Sequence, residues 1–300
     1  WQCAWVALTP LILLAVQTRP ATAFRWGWLS GMVHWLVTLA WLLRLRDTAP
    51  VPGMLIVLGW GALSAYCALY TGAFAFTVAH IAGKLGTDGL WPRTLLTVLM
   101  PVLWVGFEFV RANAFQGFAW NPLGVSQFRN LPVLQIAQWL GVYGVSALLV
   151  LSSGGLAMTL LRLRGLRRRD AVAVGAGGPV RAGYQPHPEL FLPVLAAVLA
   201  VQVGLGLARS PRAVGPTYVV AAIQPAVPQE KKWSEAAAAQ ILARLREMSQ
   251  DVLRRHDKLD LIIWPETATP ECVRYEGESR NLVLELVARG VPLLVGSLDA

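Results

Sequence analysis

Charge is what this sequence has least of. Only 14% of its 300 residues are Asp, Glu, Lys or Arg, against about 25% in soluble domains, so a wholly water-soluble protein is excluded. Cysteine is equally scarce. Cys3, Cys67 and Cys272 make no CxxC pair and no metal-ligand spacing with the four histidines, which excludes a disulfide scaffold and a zinc or redox motif. Cys3 and Cys67 lie in apolar runs and read as small packing residues. An initiator methionine and a charged leader are also missing ahead of Trp1, so the chain is expected to be an excerpt trimmed at both ends.

What is there is apolar: 55% hydrophobic residues and a mean hydropathy of +0.51. The distribution is uneven. Residues 1–208 are mostly long apolar runs, whereas 229–290 have the charge density of a soluble domain. Much of the formal +9 charge sits in one run, Arg162, Arg164, Arg167, Arg168 and Arg169, with Arg181 beyond. Nucleic-acid binding is one reading of such a run. Between two apolar spans, a positive-inside loop is the better one.

Six spans are expected, at 5–16, 26–43, 54–81, 95–110, 133–161 and 190–207, each judged against the roughly 20 apolar residues a bilayer needs. The first is expected to be incomplete at its start. Glycine, Ala and Ser inside the spans suit close helix packing, and Trp26, Trp28, Trp91, Trp120 and Trp139 fall near span ends, where aromatic belts form. The basic loop at 162–181 should be cytoplasmic, which puts 113–132 and everything after 207 on the far side; Arg44 and Arg46 then violate the rule slightly. Glu108 and Arg111, spaced i, i+3, are expected to pair on one helix face. His34 and His80 read as packed or interfacial.

After Ser210 the pattern becomes α/β. Strands are expected at 218–223, 259–264 and 291–295, and helices at 234–255, with Ser234 as N-cap, and 279–288. That order requires a parallel or mixed sheet. The second strand runs into Pro265, which cannot donate to a ladder. Glu266 therefore stands just past the carboxyl end of a strand, where α/β sheets place their chemistry. Held there, a carboxylate can act as a general base. A lone Glu at such a place also reads as a solvated loop residue.

Five stretches together carry a family resemblance: FEFVRANAFQGFAWNPLGVSQ (107–127), QIAQWLGVYGVSALL (135–149), AIQPAVPQEKKW (222–233), LIIWPETATP (261–270) and VPLLVGSLDA (291–300). The strand-Trp-Pro-Glu stretch alone resembles the nitrilase, or carbon–nitrogen hydrolase, superfamily. In this order, across essentially the whole chain, they resemble the apolipoprotein N-acyltransferases. The implied fold is a polytopic α-helical membrane domain (1–209) followed by the start of a nitrilase-like α/β (αββα) domain (215–300), in the bacterial inner membrane with the catalytic domain periplasmic.

The resemblance implies a Glu–Lys–Cys triad with Glu266 as general base; the lysine and cysteine are expected beyond Ala300, which would leave residues 1–300 inactive alone. In such a triad the base takes the thiol proton and the lysine steadies the oxyanion. Cys272 is not the expected nucleophile, and Lys231 and Lys232 are not the triad lysine. The resemblance places Trp233 near the active site, with helix-start packing as its bland alternative. Trp120 is placed at a lipid entry or as an interface anchor. Implied partners are a phospholipid acyl donor (phosphatidylethanolamine), an apolipoprotein acceptor and membrane lipids, without cofactor, metal or nucleic acid. Two other classes stay open: a membrane-tethered amidase or nitrilase on a small C–N substrate, and a transporter or scaffold with a non-catalytic outer domain.

Overall fold

The computed structural model describes residues 2–47, 51–87, 89–175, 200, 204, 215–227, 235–275 and 277–297. The chain separates into two compact units, Trp1–Ser210 and Pro211–Ala300.

The first unit is helical. A 3-10 turn (Gln2–Trp5) leads to α1 (Thr9–Ala15), α2 (Pro20–Thr38), a second 3-10 stretch (Ala40–Asp47), α3 (Gly53–Leu85), α4 (Leu90–Asn113), a third 3-10 turn (Leu123–Gln127), α5 (Leu131–Leu134) and α6 (Ala137–Gly175). Among the described residues three helices are long and apolar enough to cross a membrane: Gly53–Leu85, Leu90–Asn113 and Ala137–Arg164. A fourth span forms if α2 and the stretch after it, bent by 41°, count as one. These cover the expected spans at 26–43, 54–81, 95–110 and 133–161. The first expected span, at 5–16, is realised only as the short apolar stretch Gln2–Ala15, and the sixth, at 190–207, lies outside the described residues apart from 200 and 204. The fifth begins later than expected, because 131–134 form a separate short helix and Gly141 breaks the next one with φ of +61°, a value that glycine reaches without a Cβ clash.

Outward apolar side chains show what surrounds these helices. Met54 is 74% and Val102 65% exposed, which water would penalise and acyl chains would not. Polar side chains on the helices turn inward on their own backbone: the hydroxyls of Ser64, Thr77, Thr97 and Thr159 each donate to a carbonyl four residues back, the bond available where no water competes. The core is built from Ile12, Ala23, Phe74, Leu96, Met100 and Val150, one or more from each long helix. Helices α2 and α3 pack at backbone distance. A Cβ on Gly27 would lie 2.8 Å from the Ala75 Cβ and 2.9 Å from the Thr71 carbonyl oxygen, and one on Gly31 3.1 Å from the Ala68 Cα. This is the small-residue seam that membrane helices use where no hydrophobic effect drives them together.

The second unit carries β1 (Val220–Ala222), α7 (Glu235–Arg255), β2 (Leu261–Ile263), α8 (Glu278–Val287) and β3 (Leu293–Leu294). The sheet is parallel throughout, in the order β1-β2-β3. The elements fall within the runs expected from sequence except α8, which starts one residue early at Glu278; Ser234, the expected N-cap of α7, is outside the described residues. Ile241, Leu242 and Leu245 of α7 and Leu282 and Leu286 of α8 bury against Ile223, Ile262 and Trp264 of the sheet. Trp264 is 2% exposed and donates from its indole to the Ser249 hydroxyl at 3.0 Å, so its polar tip is satisfied inside the core. The outer faces are water-adapted: Arg246 bridges to Glu285 at 3.2 Å and Asp251 to Arg255 at 2.8 Å.

The seam between α2 and α3 is testable. Gly27→Ile should force the helices apart and lower the stability of the detergent-solubilised protein by about 1–3 kcal/mol, read as a fall in Tm. Gly61→Ala, where an added Cβ meets nothing within 4 Å, should leave Tm unchanged or slightly raised.

Candidate functional site

Glu266 sits where the end of β2 and the end of β3 are sewn together. The Trp264 amide donates to the Leu294 carbonyl at 2.8 Å, and past the ladder the Ala268 amide donates to the Gly296 carbonyl at 2.8 Å. The carboxylate therefore projects from a turn clamped on both sides. Contact is so close that a Cβ on Gly296 would lie 2.2 Å from the Pro265 carbonyl oxygen and 2.7 Å from the Glu266 Cα. The turn is also strained: Thr267 has φ of +45°, a left-handed conformation that a β-branched residue adopts only when its surroundings impose it. Below it, the Thr269 hydroxyl donates to the Glu271 carbonyl and the Ser297 hydroxyl accepts from the Val273 amide. Glu266 itself is exposed, on a rigid base.

In the helical unit the motif loop after α4 is organised by Arg111. Only 3% exposed, it donates from Nη1 to the carbonyls of Phe118 (2.7 Å) and Trp120 (2.8 Å). Its own carbonyl accepts from the Phe118 amide at 2.8 Å, and its guanidinium lies 4.7 Å from the centre of the Trp35 ring. Such charge-assisted bonds contribute about 1.5–3 kcal/mol each. The far end of the loop is fixed on α6: the Gly124 amide donates to the Ser146 hydroxyl at 2.9 Å, and a Cβ on Gly124 would lie 2.5 Å from the Val142 carbonyl oxygen. Trp120 is thereby held half-exposed, its ring 5.4 Å from that of Trp41.

The expected Glu108–Arg111 pair does not form. Arg111 spends its hydrogen bonds on the returning loop, and Glu108 faces other donors. Its Oε1 accepts from the Leu123 amide at 2.7 Å and the Trp104 indole at 2.9 Å, whereas its Oε2 is buried with no hydrogen-bond partner. Leaving such an oxygen unmatched costs about 1–3 kcal/mol, more if charged. Both residues line a cavity of about 460 Å³, together with Leu11, His34, Tyr70 and Trp104. His34, read from sequence as packed or interfacial, is a wall of that cavity.

Trp233, Lys231 and Lys232 lie outside the described residues. Cys272 is half-buried in the loop after Pro270. Among the described residues no three His, Cys, Asp or Glu side chains gather as a metal site. Glu266 and Trp120 belong to different units. Sequence reasoning missed the cavity because its walls come from four helices. The available signal was an acid and a base inside one apolar helix, which in a membrane points to function by default.

The clamp on Glu266 gives a local prediction. Gly296→Ala should displace the 265–268 turn, so that amide exchange at Ala268 becomes fast while Trp264, anchored by β3, stays protected and the far-UV circular dichroism is retained. Unchanged protection at Ala268 would remove the clamp.

The chain has relatives of known kind. The apolipoprotein N-acyltransferase N-terminal domain family matches residues 1–155. An apolipoprotein N-acyltransferase of Geobacter metallireducens is 30% identical over 291 residues, covering 94% of this chain and 51% of the relative. One from Methylococcus capsulatus is 29% identical over 97% of this chain and 52% of its own length. Apolipoprotein N-acyltransferase 1 of Treponema pallidum is 29% identical over 99% and 52%. The chain spans about half the length of the curated relatives it matches. With a family match over residues 1–155 of 300, the chain belongs to the apolipoprotein N-acyltransferase family.

Proposed function

We propose that the protein is part of an N-acyltransferase that moves an acyl chain from a phospholipid to the α-amine of the N-terminal cysteine of an apolipoprotein, through a cysteine thioester. The observation that carries the reading is the clamped turn: a carboxylate at the carboxyl end of a parallel strand, in a chain whose other unit is a bundle of apolar helices. Glu266 is assigned as general base. The lysine and cysteine of a Glu–Lys–Cys triad are assigned outside residues 1–300, and the greater length of the relatives leaves room for them.

The steps follow from those roles. Glu266 takes the thiol proton, and the thiolate attacks the ester carbonyl of the phospholipid. A tetrahedral oxyanion forms, steadied by the lysine. It collapses with cleavage of the ester C–O bond, and the lysophospholipid alkoxide leaves with the proton from Glu266. The acceptor amine then attacks the thioester and gives its proton to the same carboxylate, and the thiolate departs. Exclusion of water favours the amine over hydrolysis. Trp233 and Trp120 are assigned to acyl-chain or entry contacts, as large amphipathic rings suit an apolar–polar boundary.

The donor is assigned as phosphatidylethanolamine. The protein is placed in the bacterial inner membrane with residues 215–300 on the periplasmic side, a topology supported by the Arg162–Arg169 run as a cytoplasmic anchor. In the intact protein Glu266→Gln should lower acyl transfer to a lipoprotein peptide by about 10²–10⁴-fold and leave membrane insertion intact. Near-normal turnover would refute the assignment. A wild-type protein that gains no acyl-mass adduct on incubation with phospholipid would point instead to a small soluble C–N substrate.

A further inference from the structure

A groove on the outer face of the helical unit combines an apolar lining with an unengaged cation. Helices α2 and α3 run antiparallel: Gly27 faces Ala75, and Gly31, one turn on, faces Ala68 and Thr71. The first turns of α2 therefore meet the last turns of α3. Between them lies a groove of about 570 Å³ lined by Ala21, Phe24, Arg25, Ala73, Phe76 and Thr77. The alanines leave the space and the two rings wall it. Phe24 is seated against Gly72, where a Cβ would lie 3.0 Å from its ring, and His80 lies parallel to the Phe76 ring, centres 6.2 Å apart. The Thr77 hydroxyl is spent on the Ala73 carbonyl at 2.8 Å. Arg25 is then the one lining side chain with donors to give. It is exposed, and among the described residues no ion pair or side-chain hydrogen bond engages it.

The charge beside the groove is of one sign. Arg19 precedes α2 and Lys84 lies in the last turn of α3, both exposed, and neither helix contains an Asp or Glu. The start of α2 adds the positive end of a helix dipole. A free anion would satisfy Arg25 and leave the rings bare, and an acyl chain alone would do the reverse. A phospholipid does both. The ammonium of a zwitterionic headgroup would meet cations and no carboxylate on either helix, whereas a headgroup of net negative charge fits without that conflict.

We propose that this groove holds a phospholipid of net negative charge, with its phosphate at Arg25 and an acyl chain along Phe24 and Phe76. This lipid is a fixed ligand rather than the acyl donor. The motif loop sits toward the other end of α2, beside Trp35 and Trp41, and Trp35 is ten residues, about 15 Å, along the helix from Arg25. The site rests only on these helices standing in a bilayer, in either orientation.

The experiment is lipid retention by the intact protein in detergent, read by native mass spectrometry. The probes are phosphatidylglycerol and phosphatidylcholine with identical ether-linked chains, which no acyl transfer can consume, and glycerol 3-phosphate as a competitor without chains. The wild type should hold one phosphatidylglycerol over phosphatidylcholine by roughly fivefold to thirtyfold, the factor that one or two basic side chains at an anionic headgroup give. Arg25→Gln should lower that ratio by about fivefold, and Arg44→Gln, past the other end of α2, should leave it unchanged. Ala73→Phe, which fills the groove without altering charge, should release the bound lipid; if that variant does not fold, Ala21→Phe fills the groove from the α2 side. Equal retention of the two lipids by the wild type, an undiminished ratio in Arg25→Gln, or an equal fall in Arg44→Gln would overturn the proposal. So would full retention with the groove filled, or displacement of the lipid by equimolar glycerol 3-phosphate. Retention is read without turnover, so a failed role for Glu266 and a failed lipid site give separate signatures.

Discussion

A guanidinium keeps its charge at any ordinary pH, so one buried among apolar helices has to be surrounded by acceptors. Arg111 meets that demand with backbone carbonyls and an indole face rather than with the carboxylate one turn away. Much of the outer architecture of the helical unit follows. The chain leaving α4 must double back to deliver the carbonyls of Phe118 and Trp120, and only then can Leu123 reach Glu108 and Gly124 reach α6. The indole of Trp5 adds a brace by donating to Gln127. The motif loop is thus a folded-back cap, with Arg111 as its centre.

The same rule, that polar groups without water find partners locally, is obeyed differently in the two units. In the helical unit several hydroxyls bond to their own helix, those of Thr9 and Ser153 reach the backbone of a neighbouring element, and helices approach through glycine. In the α/β unit the helices carry exposed ion pairs and one apolar face, as expected of segments facing water. Non-glycine residues in left-handed backbone fall in the motif-bearing loops: Phe115 and Asn121 after α4, Ala226 after β1 and Thr267 after β2. Strain of this kind persists only where neighbouring contacts hold it. At Thr267 the contacts are visible on both sides.

The α/β unit was largely legible from sequence. Unalternating apolar runs gave its three strands, helical periodicity gave α7 and α8, and Pro265 marked where β2 must stop. The long middle spans were legible for the same reason, since hydropathy reports length. Less legible was anything that depends on a fold-back. Glu108 and Arg111 have the spacing of an ion pair, yet spacing along a helix does not reveal that a loop will return and outcompete it. Nor does a sequence show that His34, Tyr70 and Trp104, far apart in the chain, share one cavity wall. The break at Gly141 was hidden inside a continuous apolar run, because hydropathy does not register a backbone angle.

The union of the second and third strand ends has a mechanical meaning. Two backbone bonds and a glycine without a side chain make the segment leaving β3 and the acidic turn a single block. A displacement of Gly296 would carry the acidic turn with it, because the two backbones touch directly. The strand end and the acid thus form one lever arm rather than two independent parts.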